Sequence, residues 1–120
     1  MKAMILAAGK GTRLRPLTNT MPKALVPVNG KPMIALQIAP LKAQGAKEIV
    51  VNVHHFADML VDYLHSYDWG VPIRISNETD ALLDTGGGIK RAQKLFGDNA
   101  AHILVHNVDI LSNANLSSFY

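Results

Sequence analysis

The chain contains no cysteine, which excludes a disulfide framework and any thiolate metal site and fits a reducing, cytoplasmic setting. Aromatic residues are few, 6% of the sequence, and none precedes Phe56. No Asp or Glu precedes Glu48, although Lys2, Lys10, Arg13, Arg15, Lys23, Lys31, Lys42 and Lys47 all do. This part of the chain therefore calls for an anionic partner. A nucleic-acid groove pairs its cations with stacking aromatics. That pairing is missing here, so a compact phosphate ligand is expected and nucleic acid is not. No apolar run approaches the roughly 20 residues that span a bilayer, so no membrane association is expected.

What is present is ordinary globular material: 120 residues, 48% apolar, net charge +3. This suits a single domain over residues 1–120. Residues 2–8 (KAMILAA) could open a signal peptide, but Gly9, Lys10 and Gly11 cut the run short and it reads as a buried strand. A long loop follows to about Pro27. A helix is expected from Pro32 to about Gln44 with Gly45 as its stop, kinked or broken early at Pro40. EIVVNV at 48–53 reads as a strand. Residues 57–67 read as a helix with Met59, Leu60, Tyr63 and Leu64 on its apolar face. Strands at 71–76 and 102–107 flank a helix running from Asp84 or Thr85 to about Phe96. Alternating strands and helices imply an α/β fold with a Rossmann-like, doubly wound, mainly parallel sheet. After Asp109 the residues ILSNANLSSFY read as the start of another loop and helix. Four strands make about half of a full doubly wound sheet, so a chain truncated at its C-terminus is expected. An open edge along the fourth strand would then favour a homo-oligomer.

The first strand runs into Gly9, Lys10, Gly11, Thr12 and Arg13, at the sheet end where open parallel folds bind ligands. Glycines admit close backbone approach, and successive N–H groups in such a turn can cradle phosphate oxygens. The dinucleotide fingerprint fails, because it needs glycine where Leu14 stands, and so does the ATPase-type phosphate loop. On spacing alone, a flexible basic turn and an anion site fit equally.

LAAGKGTRLRPLT (6–18) followed by PKALVPVNGKPM (22–33) resembles the signature of the sugar-phosphate nucleotidyltransferases, as do LLDTGGGI (82–89) and LVHNVDIL (104–111). The likeness is greatest to the branch of mannose-1-phosphate guanylyltransferases and N-acetylmuramate-1-phosphate uridylyltransferases. It implies a fold of the nucleotide-diphospho-sugar transferase type and a Mg2+-dependent reaction of an NTP with a sugar 1-phosphate, giving an NDP-sugar and pyrophosphate. It further implies that Leu6, Ala8 and Gly9 line the nucleobase, and that Gly11 and Thr12 approach the ribose and phosphates. Arg13 would grip the departing β- and γ-phosphates, and Lys23 would bridge the α-phosphate and the incoming sugar phosphate. Gly86 and Gly87 would offer backbone groups to the base edge, and Asp109 would hold magnesium. The family's later part, with much of its sugar site and a second metal-binding Asp, is absent, so a nucleotide-binding module without turnover is the alternative.

The chemistry calls for these residue types. A sugar 1-phosphate is mostly deprotonated at neutral pH, its second pKa being about 6, so its attack requires no general base. The reaction needs two anions positioned and the leaving pyrophosphate neutralised, which suits arginine, lysine and a magnesium-binding carboxylate. Val108 stands where the family usually has glycine, predicting a tighter space beside the phosphates. Arg15 could brace the loop against a carboxylate. Asp84 is expected to cap its helix. His54 and His55 point to opposite faces, and His102 and His106 lie about 13 Å apart on a strand, so neither pair chelates one ion. A structural role is favoured for them, with His54 or His55 a candidate sugar-nucleotide contact. Trp69 is expected to pack.

Overall fold

The computed structural model describes residues 1–80, 83–97 and 102–110. Its elements are β1 (Lys2–Leu6), β2 (Pro27–Val28), β3 (Lys31–Pro32), α1 (Met33–Ala43), β4 (Glu48–Val53), α2 (Ala57–His65), β5 (Ile73–Asn77), α3 (Thr85–Ala92) and β6 (Leu104–Asn107). A four-stranded sheet has the order β5-β4-β1-β6, every pair parallel. Successive strands move outward from β1 to β4 to β5. The chain then crosses back and lays β6 on the other side of β1. The order therefore reverses between β1 and β6, and the crevice for ligands in such sheets lies at the carboxyl ends of those strands.

Helices on both faces explain why the central strands show no polar alternation. Ala3 and Ile5 of β1 and Ile49, Val51 and Val53 of β4 point one way, into a core with Ile34, Ile38, Leu41, Leu60 and Leu64 of α1 and α2. Met4 and Val50 point the other way, onto Ala92 and Phe96. Each such buried Val, Ile, Leu, Met or Phe side chain contributes about 1.5–3 kcal/mol of transfer free energy. β6 is an edge strand among the described residues, and its Val105 is exposed.

Several boundaries differ from expectation. β1 ends at Leu6, because Ala7 turns its N–H to a side chain of β4. Pro32 sits just ahead of α1 as its N-cap, and the Met33 N–H bonds the Val26 carbonyl at 3.1 Å. A kink or an early break was expected at Pro40; the helix is not broken there and runs through the exposed Pro40 to Ala43, the Leu36 carbonyl losing its helical partner. Gly45, at φ +100°, follows its end. In α2 the buried positions are Ala57, Leu60 and Leu64, while Met59, predicted on the apolar face, is exposed. α3 tightens into a 3-10 turn at Gln93–Leu95 before the buried Phe96.

The long loop after β1 is also more ordered than predicted. It holds three single 3-10 turns, Thr12–Leu14, Leu17–Asn19 and Lys23–Leu25, and a hairpin of β2 and β3. Asn29 and Gly30, at φ 52° and 80°, form the two-residue turn of that hairpin, as the Asn-Gly preference for primed turns explains. Trp69 packs as expected, stacking in a tilted cluster with Tyr63 and Tyr67 and donating its indole N–H to the Leu64 carbonyl at 2.8 Å. Burial and the neighbouring Tyr67 phenol raise the pKa of Tyr63 above the ordinary value for tyrosine. No helix among the described residues is long and apolar enough to cross a membrane, and residues 111–120, where a further helix was expected to begin, lie outside them.

Candidate functional site

Two adjoining cavities occupy the crevice. One, of about 320 Å³, is lined by Leu6, Ala8, Gly9, Lys23, Asn52, Leu83, Asp84, Thr85 and Asn107. The other, of about 250 Å³, is lined by Gly11, Thr12, Arg13, Leu14, Lys23 and Asp109. Lys23 is the wall they share. Its Nζ lies 3.8 Å from Asp109 Oδ2, joining residues from opposite ends of the sequence. Leu6 and Asn107 are partners at the last register position of β1 and β6, so the cavities open where the strand order reverses.

The glycines have distinct tasks. Gly11 sits at φ +67°, and a Cβ there would come within 2.7 Å of Thr18 Cγ2 and 3.0 Å of Lys23 Cβ. A side chain at Gly9 would come within 3.1 Å of Lys23 Nζ, so its absence makes room for the ammonium. The Gly11 carbonyl accepts a hydrogen bond from the Thr18 hydroxyl at 2.6 Å and from the Leu14 N–H at 3.0 Å. Thr18 is anchored in turn, because its carbonyl accepts from His55 Nε2 at 2.9 Å. His54 Nδ1 faces the Glu78 carbonyl at 2.6 Å. Both histidines thus serve as backbone ties at the end of β4.

Beneath the first cavity lies a polar junction that sequence reasoning missed. Asn52 is buried and faces α3; its Oδ1 accepts the Ala7 N–H at 2.6 Å and its Nδ2 donates to Glu78 Oε2 at 2.9 Å. Glu78 is fully buried, and its other oxygen accepts the Leu83 N–H at 3.3 Å. A Cβ on Gly88 would come within 3.1 Å of Glu78 Oε2 and 3.2 Å of Asn52 Nδ2, so the third glycine of the triplet lets α3 pack onto this junction. A polar residue inside the apolar run EIVVNV was the available signal for it. Gln37 was missed as well: it is buried at a core position of α1 and donates to the Val108 and Ile110 carbonyls at 3.0 and 2.7 Å.

Of the residues singled out from the sequence, Leu6, Ala8 and Gly9 line the first cavity, Gly11, Thr12, Arg13 and Asp109 line the second, and Lys23 lines both. Gly86 and Gly87 line neither; the wall there is Leu83, Asp84 and Thr85, and the Gly87 N–H is engaged by the capping Asp84 carboxylate at 2.7 Å. Val108 is fully buried among core residues that include Ile34 and Ile38, so its side chain does not narrow the crevice as expected. Arg15 is exposed and pairs with no carboxylate among the described residues. Leu82, part of the motif at 82–89, lies outside them.

Asp109 suits one mode of cation binding. No group of three or more His, Asp or Glu suited to a metal ion occurs among the described residues. Mg2+, however, is commonly held by one or two carboxylates together with substrate phosphates. Asp109, a half-exposed carboxylate bordering a cavity walled by Arg13 and Lys23, could supply the carboxylate of such a set, with bound phosphates supplying the rest.

This arrangement, a parallel sheet with a glycine-cation loop at its reversal point, agrees with comparisons to known proteins. A nucleotidyl transferase family profile matches residues 2–120, and the chain belongs to that family. It is 46% identical over 110 residues to N-acetylmuramate alpha-1-phosphate uridylyltransferase of Caulobacter vibrioides, covering 89% of this chain and 45% of that protein. To mannose-1-phosphate guanyltransferase of Yarrowia lipolytica it is 39% identical over 125 residues, covering 100% of this chain and 34% of the other. Among solved structures, the CTP:phosphocholine cytidylyltransferase LicC of Streptococcus pneumoniae superimposes with a TM-score of 0.74 at 36% identity, over 96% of this chain and 47% of its own. HddC of Yersinia pseudotuberculosis, complexed with GMP-PN, gives a TM-score of 0.86 at 29% identity, over 98% and 52%. The chain thus spans about half or less of the length of these relatives.

Proposed function

We propose that this chain forms the nucleotide-binding part of a sugar-1-phosphate nucleotidyltransferase, joining an NTP to a sugar 1-phosphate to give an NDP-sugar and pyrophosphate. The observation that carries the reading is Lys23, whose ammonium walls both cavities while Arg13 and Asp109 border only one. The base would occupy the cavity of Leu6, Ala8 and Gly9, whose lining includes Leu83, Asp84 and Thr85 rather than Gly86 and Gly87, and the triphosphate would pass Gly11 and Thr12 toward Arg13. An acceptor phosphate oxygen attacks the α-phosphorus as the bond from that phosphorus to the bridging oxygen of pyrophosphate breaks, in line and without a covalent enzyme intermediate. Lys23 holds the α-phosphate and the acceptor phosphate together against their repulsion, and Arg13 neutralises the departing β- and γ-phosphates. Asp109 would hold Mg2+, which supplies further neutralisation of phosphate oxygens.

The acceptor class draws support from the uridylyl- and guanylyltransferase relatives, named for sugar 1-phosphates; the phosphocholine enzyme makes a second acceptor worth assaying. The test is pyrophosphate release by this chain with four NTPs against mannose 1-phosphate, N-acetylmuramate 1-phosphate, glucose 1-phosphate and phosphocholine, alongside calorimetry of NTP binding. Release with one sugar phosphate is expected. Binding with no release for any pair would favour the nucleotide-binding module, and no binding of any NTP would overturn the reading.

A further inference from the structure

We propose that Gln37 is a positioning residue for Asp109, holding the backbone on either side of it and thereby setting the affinity of the site for a divalent cation bound with nucleotide. This rests on the reading of Asp109 as a metal ligand.

Gln37 occupies a position on α1 that spacing reserves for the core, three residues after Ile34 and four before Leu41, and it is 5% exposed. A buried amide must find partners. Its Nε2 reaches two carbonyls at once, Val108 at 3.0 Å and Ile110 at 2.7 Å. These are the carbonyls on either side of Asp109. The pairing of β6 with β1 ends at Asn107, so Asp109 stands beyond the strand ladder. The last sheet-side tie is the Val108 N–H to the Leu6 carbonyl at 3.1 Å. Val108 anchors the same stretch by its burial in the core. The backbone around Asp109 is therefore fixed from the protein side while its side chain stays 46% exposed toward the phosphate cavity.

Outer groups that orient a metal ligand typically change affinity by about 10–100-fold when removed. Few residue types fit the position. A donor pair is required at the end of a side chain of this length; methionine fills the space without donating, glutamate would present an acceptor to two carbonyls, and asparagine falls one methylene short.

The test measures GTP and UTP binding to the full chain by calorimetry, with Mn2+ and then with EDTA; the ratio of the two affinities is the metal's contribution. Asp109→Asn should abolish that contribution. Gln37→Met should lower it about tenfold or more while EDTA affinity stays near that of the parent; the thermal midpoint falls because two carbonyls lose their donor. If Asp109→Asn leaves the ratio intact, the metal role of Asp109 fails and the proposal with it. If Asp109→Asn removes it and Gln37→Met does not, the metal role stands and the positioning role of Gln37 is refuted. Loss of EDTA affinity in step with Mn2+ affinity in Gln37→Met would make Gln37 a structural tie only. Should Gln37→Met not fold, Gln37→Asn is read in the same way, and failure of both to fold assigns Gln37 to stability and overturns the proposal.

Discussion

Replacing Gly11 with alanine should destabilise the protein more than the same change at Gly30, and the difference measures how tightly the loop is packed. Both glycines lie in the left-handed region, at φ +67° and +80°, where an L side chain costs about 1–2 kcal/mol. Both substitutions also stiffen the unfolded chain by a similar 0.4–1 kcal/mol or so, which cancels in the comparison. The surroundings separate the two. A Cβ at Gly30 meets nothing within 4 Å, whereas at Gly11 it would come within 2.7 Å of Thr18 Cγ2 and 3.0 Å of Lys23 Cβ. Overpacking of this kind costs roughly 1–3 kcal/mol, so Gly11→Ala should be the less stable variant by about that amount. Urea titration with linear extrapolation resolves such a gap. The same clash displaces Lys23, so nucleotide affinity should fall in Gly11→Ala and hold in Gly30→Ala. Equal unfolding midpoints together with equal nucleotide affinities would show that the loop yields freely and that the packing argument is wrong.

Four further outcomes are expected. Arg13→Ala should weaken NTP binding by about 1.5–3 kcal/mol, roughly tenfold to a hundredfold, while NMP binding is unchanged; an equal loss for both ligands in calorimetry would remove Arg13 from the β- and γ-phosphates. Asn52→Leu strands the Ala7 N–H and the buried Glu78 carboxylate and should cost about 2–5 kcal/mol in urea unfolding, with a loss under 1 kcal/mol refuting the junction's importance. The Tyr63 pKa is raised in the folded state, so its contribution is fully present below the unfolded value of 10.0 and is lost as pH rises through the folded value; Tyr63→Phe should lose less stability on alkaline titration than the parent. Val105→Lys, on the strand that is an edge among the described residues, should lower self-association in light scattering, and identical masses for both chains across a concentration series would dismiss the edge as a contact.

The elements of the sheet were legible because buried parallel strands declare themselves as short apolar runs: β4 has the expected bounds, and β1 overran only by Ala7 and Ala8. The loop's cations could be placed for a related reason, since topology decides which end of a parallel strand faces the crevice. Met59 shows where periodicity stops helping. Its spacing fits the apolar face of α2, but the sheet covers only a narrow stripe of that helix, and Met59 falls outside it. The hairpin at Asn29 and Gly30 had a readable signal in its dipeptide, yet its strands are too short to stand out by pattern. Gln37, Asn52 and Glu78 were hidden for another reason: each gains its meaning from a partner distant in sequence, a backbone group for Gln37 and Asn52 and the Asn52 amide for Glu78, and a lone polar residue says nothing of where that partner will be.

The Asn52 junction bears on how the site comes into being. Its hydrogen bonds span 45 residues to Ala7 and 26 to Glu78, so the start of the glycine loop is fixed only after three strands have found one another. A synthetic peptide of residues 6–25 would contain Gly9, Lys10, Gly11, Arg13, Arg15 and Lys23 and still lack the acceptor that turns the Ala7 N–H, the helix that supports Asp109, and Asp109 itself. Loop closure over such separations must precede any reward from the contacts, which places assembly of the phosphate site late in folding. The glycine-cation segment is thus not a portable binding cassette: grafted into another strand-loop setting without β4 and β6, it should hold no nucleotide.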